Sequence, residues 1–359
     1  MRVADFDFDL PPELIAQDSP ADRASARLLC VDRASGRLEH TQVADLAARL
    51  RPDDLLVVND TRVFPARLLG RRDPSGGAVE CFLVARLDDE AGDAPAAERW
   101  SALVHPGQRL KPGARVIFEG SRTLHGEVLE RSFHGRRIVR LQAAPVEGRD
   151  VSVEEAVEAI GHVPLPPYIR REDREEDRSR YQTMFAVPRG SVAAPTAGLH
   201  FTPALVDRLR GAGVQLTSVT LHVGYGTFQP VRVAEVEDHH VAAEQFDVGE
   251  AAALEINKAL DEGRRVVAVG TTTTRTLEAV GRAHGGRLAP SRGSTDLFIY
   301  PGFQFGVVGG LLTNFHLPQS SLLMLVAAFA GRETVLAAYR EAVAARYRFY
   351  SYGDAMLVT

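Results

Sequence analysis

The chain has 359 residues, of which 45% are apolar and 25% are charged, and its formal net charge is −5. This composition excludes general disorder, and the length predicts about two domains of ordinary size. No apolar run reaches the roughly 18–20 residues that a membrane span requires. The N-terminal segment MRVADFDFDLPPEL carries acids where a signal peptide would carry basic residues and an apolar run. We therefore expect a cytoplasmic protein that has no membrane association.

The first part of the chain predicts a helix in VADLAARL and a buried strand in LLVVND. From residue 62 to 149, short alternating runs separated by glycine and proline predict a compact antiparallel sheet or small barrel. These runs include AVECFLVARL, ARVIFEG and RRIVRLQA. The stretch DDEAGDAPAAER lies between two of them, has no period and predicts an exposed loop.

From residue 150 onward, helices and strands alternate, which is typical of a layered α/β arrangement. VSVEEAVEAI has Ser152 three residues before Glu155, the spacing of a capping box. PALVDRLRGAG and TTTTRTLEAVGRAHG predict helices, whereas VQLTSVTLHVG and RRVVAVG predict strands. The sequence therefore predicts an α/β (α+β) layered catalytic domain, residues 1–61 plus 150–359, with an inserted all-β barrel-like domain, residues 62–149.

Charge and cysteine content constrain partners and chemistry. Residues 62–149 contain 15 Lys and Arg against 11 Asp and Glu, although the whole chain is acidic. A mildly basic β-rich module is compatible with nucleic-acid binding, but an acidic chain does not by itself predict it. The only cysteines, Cys30 and Cys81, exclude a disulfide framework or a structural zinc site. We expect small buried thiols, with a lone catalytic cysteine as the alternative.

Polar residues stand at several predicted strand ends, where open α/β sheets bind ligands. In LLVVNDTRVFPARL these residues include Asp60 and Arg62, and a simple polar turn is the alternative interpretation. In VAAPTAGLHFTP, small residues around Thr196 and Gly198 allow a backbone to approach a ligand, and His200 precedes a helix that begins with proline.

A glycine-containing turn follows the predicted strand SVTLHV. It contains Gly224 and Tyr225, but Gln229 and Pro230 stand where a dinucleotide fingerprint requires glycine and a helix start. The dinucleotide motif therefore fails. A tight ligand-facing turn that carries His222 and Tyr225 remains a candidate.

The segment RRVVAVGTTTTRTLEAV places threonines and Arg275 at the start of a predicted helix. Amides and hydroxyls there favour either an anion site or a helix cap. The absence of a GxxxxGK[ST] motif excludes an ordinary phosphate-loop NTPase. The threonines concerned are Thr271, Thr272 and Thr273.

LLTNFHLPQSSLLMLV places Asn314 and His316 at the end of an apolar strand. A single histidine in such a position is more often a hydrogen-bonded core residue than a catalyst. Several together favour proton transfer near neutral pH. No HExxH motif occurs, and DHHVAAE lacks a familiar ligand spacing, so no metal is expected. The histidines at strand ends or in loops are His200, His222, His239, His240 and His316.

A mixed charge run, IRREDREEDRSRYQ, predicts a solvated helix or loop. Its arginines, with Tyr181 beside them, could instead contact RNA through phosphates and stacking.

Several segments, in order from about Phe6 to Val358, resemble the S-adenosylmethionine:tRNA ribosyltransferase-isomerase family of queuosine biosynthesis. They include FDFDLPPELIAQ, DLLVVNDTRVFPARL, PLPPYI, AAPTAGLHFT, LHVGYGTFQPV, VGTTTTRTLE, TNFHLPQSSLLMLVAAFAG and YRFYSYGDAML. The resemblance implies an α/β domain with an inserted β-barrel, in agreement with the predicted elements.

The resemblance also implies an activity. The ribosyl part of S-adenosylmethionine is transferred to 7-aminomethyl-7-deazaguanine at the tRNA wobble position and is isomerised to epoxyqueuosine, with release of adenine and methionine. S-adenosylmethionine is then a consumed substrate, and no cofactor is implied. The expected partners are this tRNA and S-adenosylmethionine, and the chain is expected to be a monomer.

This chemistry needs a base, an acid and hydrogen-bond donors to developing oxyanions. We hypothesise that His200 or His316 transfers the proton, and His222 is a third catalytic candidate. Anion binding is assigned to the threonine cluster and Arg275. The remaining substrate-binding candidates are Asp60, Arg62, Thr196, Gly198, Gly224, Tyr225 and Asn314.

The chain departs from the family pattern at two places. Where the family commonly shows His-x-Met-His-x-Glu, this chain keeps His239 and Glu244 but has Ala242 for the second histidine. Gly309 and Gly310 stand where the family tends to have Asp-Ala. Roles that depend on these side chains are therefore not expected here.

Two other functions remain as alternatives. An S-adenosylmethionine-dependent RNA methyltransferase would release S-adenosylhomocysteine, and it would require an intact glycine fingerprint. A non-catalytic tRNA-binding protein would bind tRNA in a salt-sensitive manner without turnover.

Overall fold

The computed structural model describes residues 1–88, 97–228 and 230–359, without the side chains of residues 134 and 228. They group into two compact units. The first comprises Met1–Arg62, Pro166–Arg171 and Gln182–Thr359, and the second comprises Val63–Leu165 and Glu172–Tyr181. The proposed domain limits at residues 62 and 149 stay a prediction.

In chain order the strands are β1 (Arg27–Val31), β2 (Leu38–Gln42), β3 (Leu55–Asn59), β4 (Arg62–Val63), β5 (Arg67–Asp73), β6 (Ala78–Leu87), β7 (Ala97–His105), β8 (Arg115–Glu119), β9 (Thr123–Arg131), β10 (Arg136–Ala143), β11 (Arg189–Ser191), β12 (Gln215–Leu221), β13 (Glu244–Val248), β14 (Val266–Val269), β15 (Ser291–Thr295), β16 (Gly310–Asn314) and β17 (Ala355–Val358). The α-helices are α1 (Leu46–Arg49), α2 (Val153–Ile160), α3 (Asp177–Arg180), α4 (Pro203–Gly211), α5 (Glu250–Asp261), α6 (Thr271–Ala283), α7 (Ser321–Ala330) and α8 (Arg332–Ala344).

The first unit contains a nine-stranded mixed sheet in the order β15-β13-β12-β3-β14-β16-β17-β1-β2. Its centre, β12-β3-β14-β16, is parallel throughout. The carboxyl ends of these four strands therefore lie along one edge of the sheet, the edge at which open α/β sheets bind ligands.

Helices cover both faces of this sheet because its central strands are apolar on both sides. In β3, Leu55 and Val57 face a core formed with α5, α6, α7 and α8, whereas Leu56 and Val58 face a second core formed with α1 and α4. The period of two in a strand places alternate residues on opposite faces. Continuous apolar runs such as LLVV are therefore expected in a sheet that is covered on both sides.

The second unit contains a closed antiparallel barrel with the strand order β10-β7-β6-β5-β8-β9. A closed barrel leaves no open strand edge. Helix α2 packs near the barrel, since Ile160 lies against Gly120, and it begins with the predicted capping box of Ser152 and Glu155.

The predicted fold class is confirmed: a layered α/β arrangement is combined with a separate all-β barrel. The predicted loop DDEAGDAPAAER needs a correction, because its last three residues, Ala97 to Arg99, already belong to β7. They pair in register with Gln142, Leu141 and Arg140 of β10, so cross-strand hydrogen bonding decides their conformation. Residues 89–96 of that stretch lie outside the described residues.

Cys81 is buried as expected, whereas Cys30 is only half-buried. Burial raises the pKa of the Cys81 thiol to about 12 and that of Cys30 to about 11. Both thiols are therefore protonated at neutral pH and unsuited to nucleophilic attack.

Within the described ranges, no single helix is long and apolar enough to cross a membrane. The sharply bent pair α7 and α8 meets the length and composition test when taken together. Most of α7 is buried in the core of the first unit.

Candidate active site

A cavity of about 500 Å³ opens at the carboxyl edge of the parallel strands, and all of its lining residues belong to the first unit. Its volume lies within the range of small-molecule sites, roughly 300–1,000 Å³. Five of the predicted site residues line it: Thr196, Thr271, Thr272, Asn314 and His316.

The start of α6 forms one wall of the cavity. Gly270 precedes the helix with φ 93°, a conformation that residues with a Cβ rarely adopt. Thr271 and Thr272 follow it and line the cavity. The first amides of a helix have no intrahelical acceptor and carry partial positive charge, so this wall suits an anionic group of a ligand.

Thr273 does not belong to this wall. It is fully buried, and its hydroxyl donates to the Val269 carbonyl at 2.7 Å. The predicted threonine cluster is therefore divided in two: its first two members line the cavity, and the third hydrogen-bonds within the fold.

Asn314 is 2% exposed, lines the cavity and has one unsatisfied polar atom. Its Nδ2 lies 3.1 Å from both His200 Nε2 and the Tyr350 carbonyl, whereas its Oδ1 is buried without a partner among the described residues. Buried acceptors in native proteins are nearly always hydrogen-bonded. The Asn314 Oδ1 atom is therefore an unsatisfied acceptor on a residue of the cavity wall.

His200 is held between two protein groups. Its Nε2 accepts a hydrogen bond from the Asn314 side-chain amide, and its ring is also hydrogen-bonded to the Arg23 backbone. Burial lowers the pKa of His200 to about 4. The ring is thus neutral at physiological pH and both polar positions are used, so His200 is placed to orient Asn314.

His316 lines the cavity directly. Its Nε2 lies 2.9 Å from the Thr313 hydroxyl, and its backbone amide donates to the Tyr339 hydroxyl at 3.1 Å. Burial lowers the pKa of His316 to about 3, so the ring is neutral. If Nε2–H donates to Thr313, the Nδ1 lone pair is free to accept a proton.

Two tyrosines form an aromatic wall of the cavity. The rings of Tyr168 and Tyr350 lie with centroids 3.8 Å apart and planes 33° apart, and the Tyr168 hydroxyl contacts Ser351. All three residues line the cavity. A flat heterocycle can stack on such a pair.

Backbone strain is also present at the cavity wall. Tyr350 and Gln319 line the cavity and have φ values of 73° and 56°. A non-glycine residue with positive φ is uncommon, costs energy and is found preferentially at functional sites. The strain of these two residues therefore supports the assignment of this cavity as the site.

Asp60, Arg62 and His222 are not among the lining residues. Asp60 accepts from the hydroxyls of Ser218 and Thr220 at 2.7 and 2.6 Å, both on β12. Arg62 is exposed, and its amide donates to the Pro188 carbonyl at 2.7 Å. The carboxylate of Asp60 thus ties neighbouring strands together, next to the cavity edge.

His222 belongs to a separate polar cluster. Its Nδ1 lies 2.8 Å from the Thr61 hydroxyl, which also bonds the Ser191 hydroxyl at 2.9 Å. Burial lowers the pKa of His222. A Cβ at Gly190 would meet the imidazole at 2.6 Å, so the ring packs directly on that glycine backbone.

Arg275 and Gly224 lie around a buried ion pair rather than on the cavity wall. Arg275 Nη1 bonds Glu244, whose other oxygen accepts from the Gly224 amide at 2.7 Å and the Thr227 hydroxyl at 3.2 Å. Arg275 also donates to the Leu297 carbonyl at 2.9 Å. The pair fixes the glycine turn whose Thr227 reaches the cavity.

The remaining two predicted residues have supporting positions. Tyr225 lies in the 3-10 turn Tyr225–Phe228 and is half-buried. Gly198 is buried beside Thr183, and a Cβ there would lie 2.9 Å from the Thr183 methyl group.

Sequence reasoning missed Tyr168, Tyr350 and Glu244. The first two lie in PLPPYI and YRFYSYGDAML, segments quoted only for their resemblance to the family. Tyrosine clustering in the second segment is a signal that could have found Tyr350. Nothing local in the sequence indicates that Glu244 pairs with Arg275, 31 positions away.

Among the residues that the structure describes, no group of three or more His, Cys, Asp or Glu side chains is arranged to hold a metal ion.

Ala242, which stands where the family commonly has a second histidine, lines a small cavity of about 30 Å³ beside Glu244 and Arg275.

The layered sheet and its cavity, which is lined by both polar and aromatic side chains, are typical of α/β proteins that bind a small ligand at the carboxyl edge of parallel strands. The family model for queuosine biosynthesis proteins matches residues 3–358. The chain belongs to this family.

Two full-length relatives and one solved structure are similar to this chain. The S-adenosylmethionine:tRNA ribosyltransferase-isomerases of Heliobacterium modesticaldum and Syntrophotalea carbinolica are 49% and 50% identical over the whole of both chains. The crystal structure of S-adenosylmethionine tRNA ribosyltransferase from Thermotoga maritima is 36% identical, with a TM-score of 0.54, over 99% of this chain and 100% of that one.

Proposed function

We propose that this protein is an S-adenosylmethionine:tRNA ribosyltransferase-isomerase. It transfers the ribosyl group of S-adenosylmethionine to 7-aminomethyl-7-deazaguanine at the tRNA wobble position and isomerises it to epoxyqueuosine, releasing adenine and methionine. Similarity over the full length to relatives of this name, at about half identity, carries the proposal. An S-adenosylmethionine-dependent methyltransferase and a non-catalytic binder have no comparable support.

The cavity supports a placement of S-adenosylmethionine. Its methionine carboxylate would bind the first amides of α6 at Thr271 and Thr272, because that wall suits an anion. Its adenine would stack on the Tyr168 and Tyr350 wall. The unpartnered Oδ1 of Asn314 would accept a hydrogen bond from the adenine amino group or a ribose hydroxyl.

His316 is the better placed of the two principal proton-transfer candidates. It lines the cavity, whereas His200 holds Asn314 by a hydrogen bond. Its imidazole lines the cavity and would accept the proton that leaves the carbon next to the sulfonium. Thr313 would select the tautomer by bonding Nε2.

The proposed function implies tRNA as the second substrate and action in the cytoplasm. The expectation of a monomer and of no membrane association stays a prediction. S-adenosylmethionine is consumed in the reaction, so no further cofactor is required by the proposal.

Product analysis tests this function. The purified chain is incubated with S-adenosylmethionine and tRNA that carries the aminomethyl-deazaguanine, and adenine, methionine and the nucleoside mass are followed. A matched tRNA with guanine at the wobble position is the control, since it lacks the accepting amine.

The proposal predicts adenine release together with the epoxyqueuosine mass, and neither with the control tRNA. Formation of S-adenosylhomocysteine would instead identify a methyltransferase. Binding of tRNA with no product at all would identify a non-catalytic binder.

A further inference from the structure

The tip of the β9–β10 hairpin carries the most exposed large apolar side chain among the described residues. Phe133 is 85% exposed. It lies between Arg131, the last residue of β9, and Arg136, the first residue of β10. A phenylalanine with this exposure buries little apolar area in the core, so most of its ring is accessible to a partner.

The hairpin tip is held in a defined position beside a second loop. Arg137 is 8% exposed, and its guanidinium donates to the carbonyls of Gly135 and Arg136 in the tip, at 3.2 and 3.0 Å. The same group donates to the carbonyls of Gly107 and Leu110, at 2.9 and 3.3 Å. Segments 105–111 and 131–137 therefore form one rim of the barrel, which we call the hairpin rim.

The hairpin rim is cationic and contains no carboxylate in either segment. Four of its cations, in two loops, have no ion pair within the described part of the chain. Three arginines on the barrel body are instead neutralised, in the pairs Arg67–Glu80, Arg71–Glu119 and Arg140–Glu127. The unpaired cations of the rim are Arg109, Lys111, Arg131 and Arg136.

We propose that the hairpin rim is a docking surface for the tRNA substrate, in which Phe133 stacks on an unpaired base and the four cations contact backbone phosphates. Aromatic stacking beside unpaired cations is the combination by which proteins bind single-stranded RNA loops. The polyanionic backbone complements a rim that has no acids of its own. This inference rests on the proposed function, which makes tRNA the partner.

The test measures tRNA affinity and turnover with the full-length protein. Labelled tRNA that carries the aminomethyl-deazaguanine is titrated at several KCl concentrations with wild type, Phe133→Ala, Phe133→Trp and the double variant Arg131→Ala/Arg136→Ala. Arg71→Ala is the matched control, because Arg71 is an exposed barrel arginine that is already paired with Glu119.

Phe133→Ala is expected to weaken tRNA binding about tenfold, because the aromatic ring on which the base stacks is removed. Phe133→Trp is expected to retain the affinity, because tryptophan supplies another ring. The double arginine variant is expected to lower the salt slope of log Kd by about 1.5. KM for S-adenosylmethionine and kcat at saturating tRNA should not change. The control should stay within about twofold of wild type throughout.

The proposal of a docking surface would be overturned if both Phe133→Ala and the double arginine variant bound tRNA with the affinity and salt slope of the wild type. Unchanged tRNA binding combined with altered self-association would also overturn it, since that result would make the rim a protein contact. These results differ from failure of the proposed function, in which the wild type itself would release no adenine.

Discussion

The Asn314 amide lies 3.1 Å from His200 Nε2, and this contact separates the roles of the two buried histidines near the cavity. The imidazole of His200 accepts from Asn314, so it is occupied by the protein. His316 lines the cavity and keeps an atom available for substrate. In the proposed mechanism, His200 therefore orients a binding group, and His316 carries out the proton transfer.

This division predicts different kinetics for the two histidine variants. His316→Ala should lower kcat at least a hundredfold, the usual contribution of a positioned proton-transfer group. His200→Ala should mainly raise KM for S-adenosylmethionine, because Asn314 loses its orientation. Steady-state adenine release measures both effects.

His284→Ala is the matched control, because His284 bonds the Val280 carbonyl at the far end of α6. It should behave as wild type. A wild-type kcat in His316→Ala would show that His316 does not transfer the proton. A lower kcat with unchanged KM in His200→Ala would show that His200 transfers it instead.

The unpartnered oxygen of Asn314 gives a second prediction. Asn314→Leu should raise KM for S-adenosylmethionine about tenfold, because a buried hydrogen bond to substrate is lost. Asn257→Leu is the control, since Asn257 bonds Leu288 away from the cavity. Equal KM values in the two variants would show that Asn314 does not contact substrate.

The anion site at α6 can be tested with the substrate rather than the protein. The methyl ester of S-adenosylmethionine keeps the rest of the substrate molecule but lacks the negative charge of the carboxylate. It should bind at least tenfold more weakly than S-adenosylmethionine, because charge-assisted bonds to the first amides of α6 are lost. Equal affinity, measured by calorimetry, would place the carboxylate elsewhere.

Protonation of the buried histidines should make the fold sensitive to acid. The pKa values of His200 and His316 fall from 6.5 to about 4 and about 3 on burial, so the unfolded chain binds more protons than the folded chain below pH 6.5. The free energy of unfolding should therefore decrease as the pH falls from 7 to 5, by about 2 kcal/mol for each histidine.

Urea denaturation at both pH values measures this decrease. A His200→Gln variant should show a smaller decrease than wild type, because glutamine does not titrate. If the free energy of unfolding depended on pH identically in wild type and His200→Gln, the claim that burial lowers the pKa of His200 would be contradicted.

The ion pair of Glu244 and Arg275 should be important for stability. Both side chains are buried, so Glu244→Gln leaves an uncompensated cation and should cost about 3–5 kcal/mol. Arg292→Met removes the largely exposed pair between Arg292 of β15 and Asp247, which lies on the same strand as Glu244, and should cost less than about 1 kcal/mol. Similar losses in urea denaturation would show that burial does not set the energy of the first pair.

The sequence predicted the fold class and the cavity edge because both depend on local patterns. The apolar run of β3 and the glycine before α6 mark strand and helix ends regardless of distant contacts. Strand ends therefore indicated Thr271 and Asn314, both of which line the cavity. Periodicity also located the barrel strands, although it missed the start of β7 at Ala97.

The parts that were missed depend on contacts between distant segments. Tyr168 and Tyr350 stack across 182 positions, and no periodicity relates them. Asp60 and Arg275 were expected at the ligand because they are charged and near strand ends. Their charges instead meet partners on β12 and β13 that only the three-dimensional fold reveals.

The most direct test of the central claim follows the carbon atoms of the substrate. S-adenosylmethionine labelled with ¹³C at all five ribosyl carbons is incubated with the protein and tRNA that carries the aminomethyl-deazaguanine, and the digested nucleosides are analysed by mass spectrometry. We predict that the modified nucleoside gains all five labelled carbons while the released adenine carries none. A nucleoside without label, with the ¹³C retained in small molecules, would contradict the assignment.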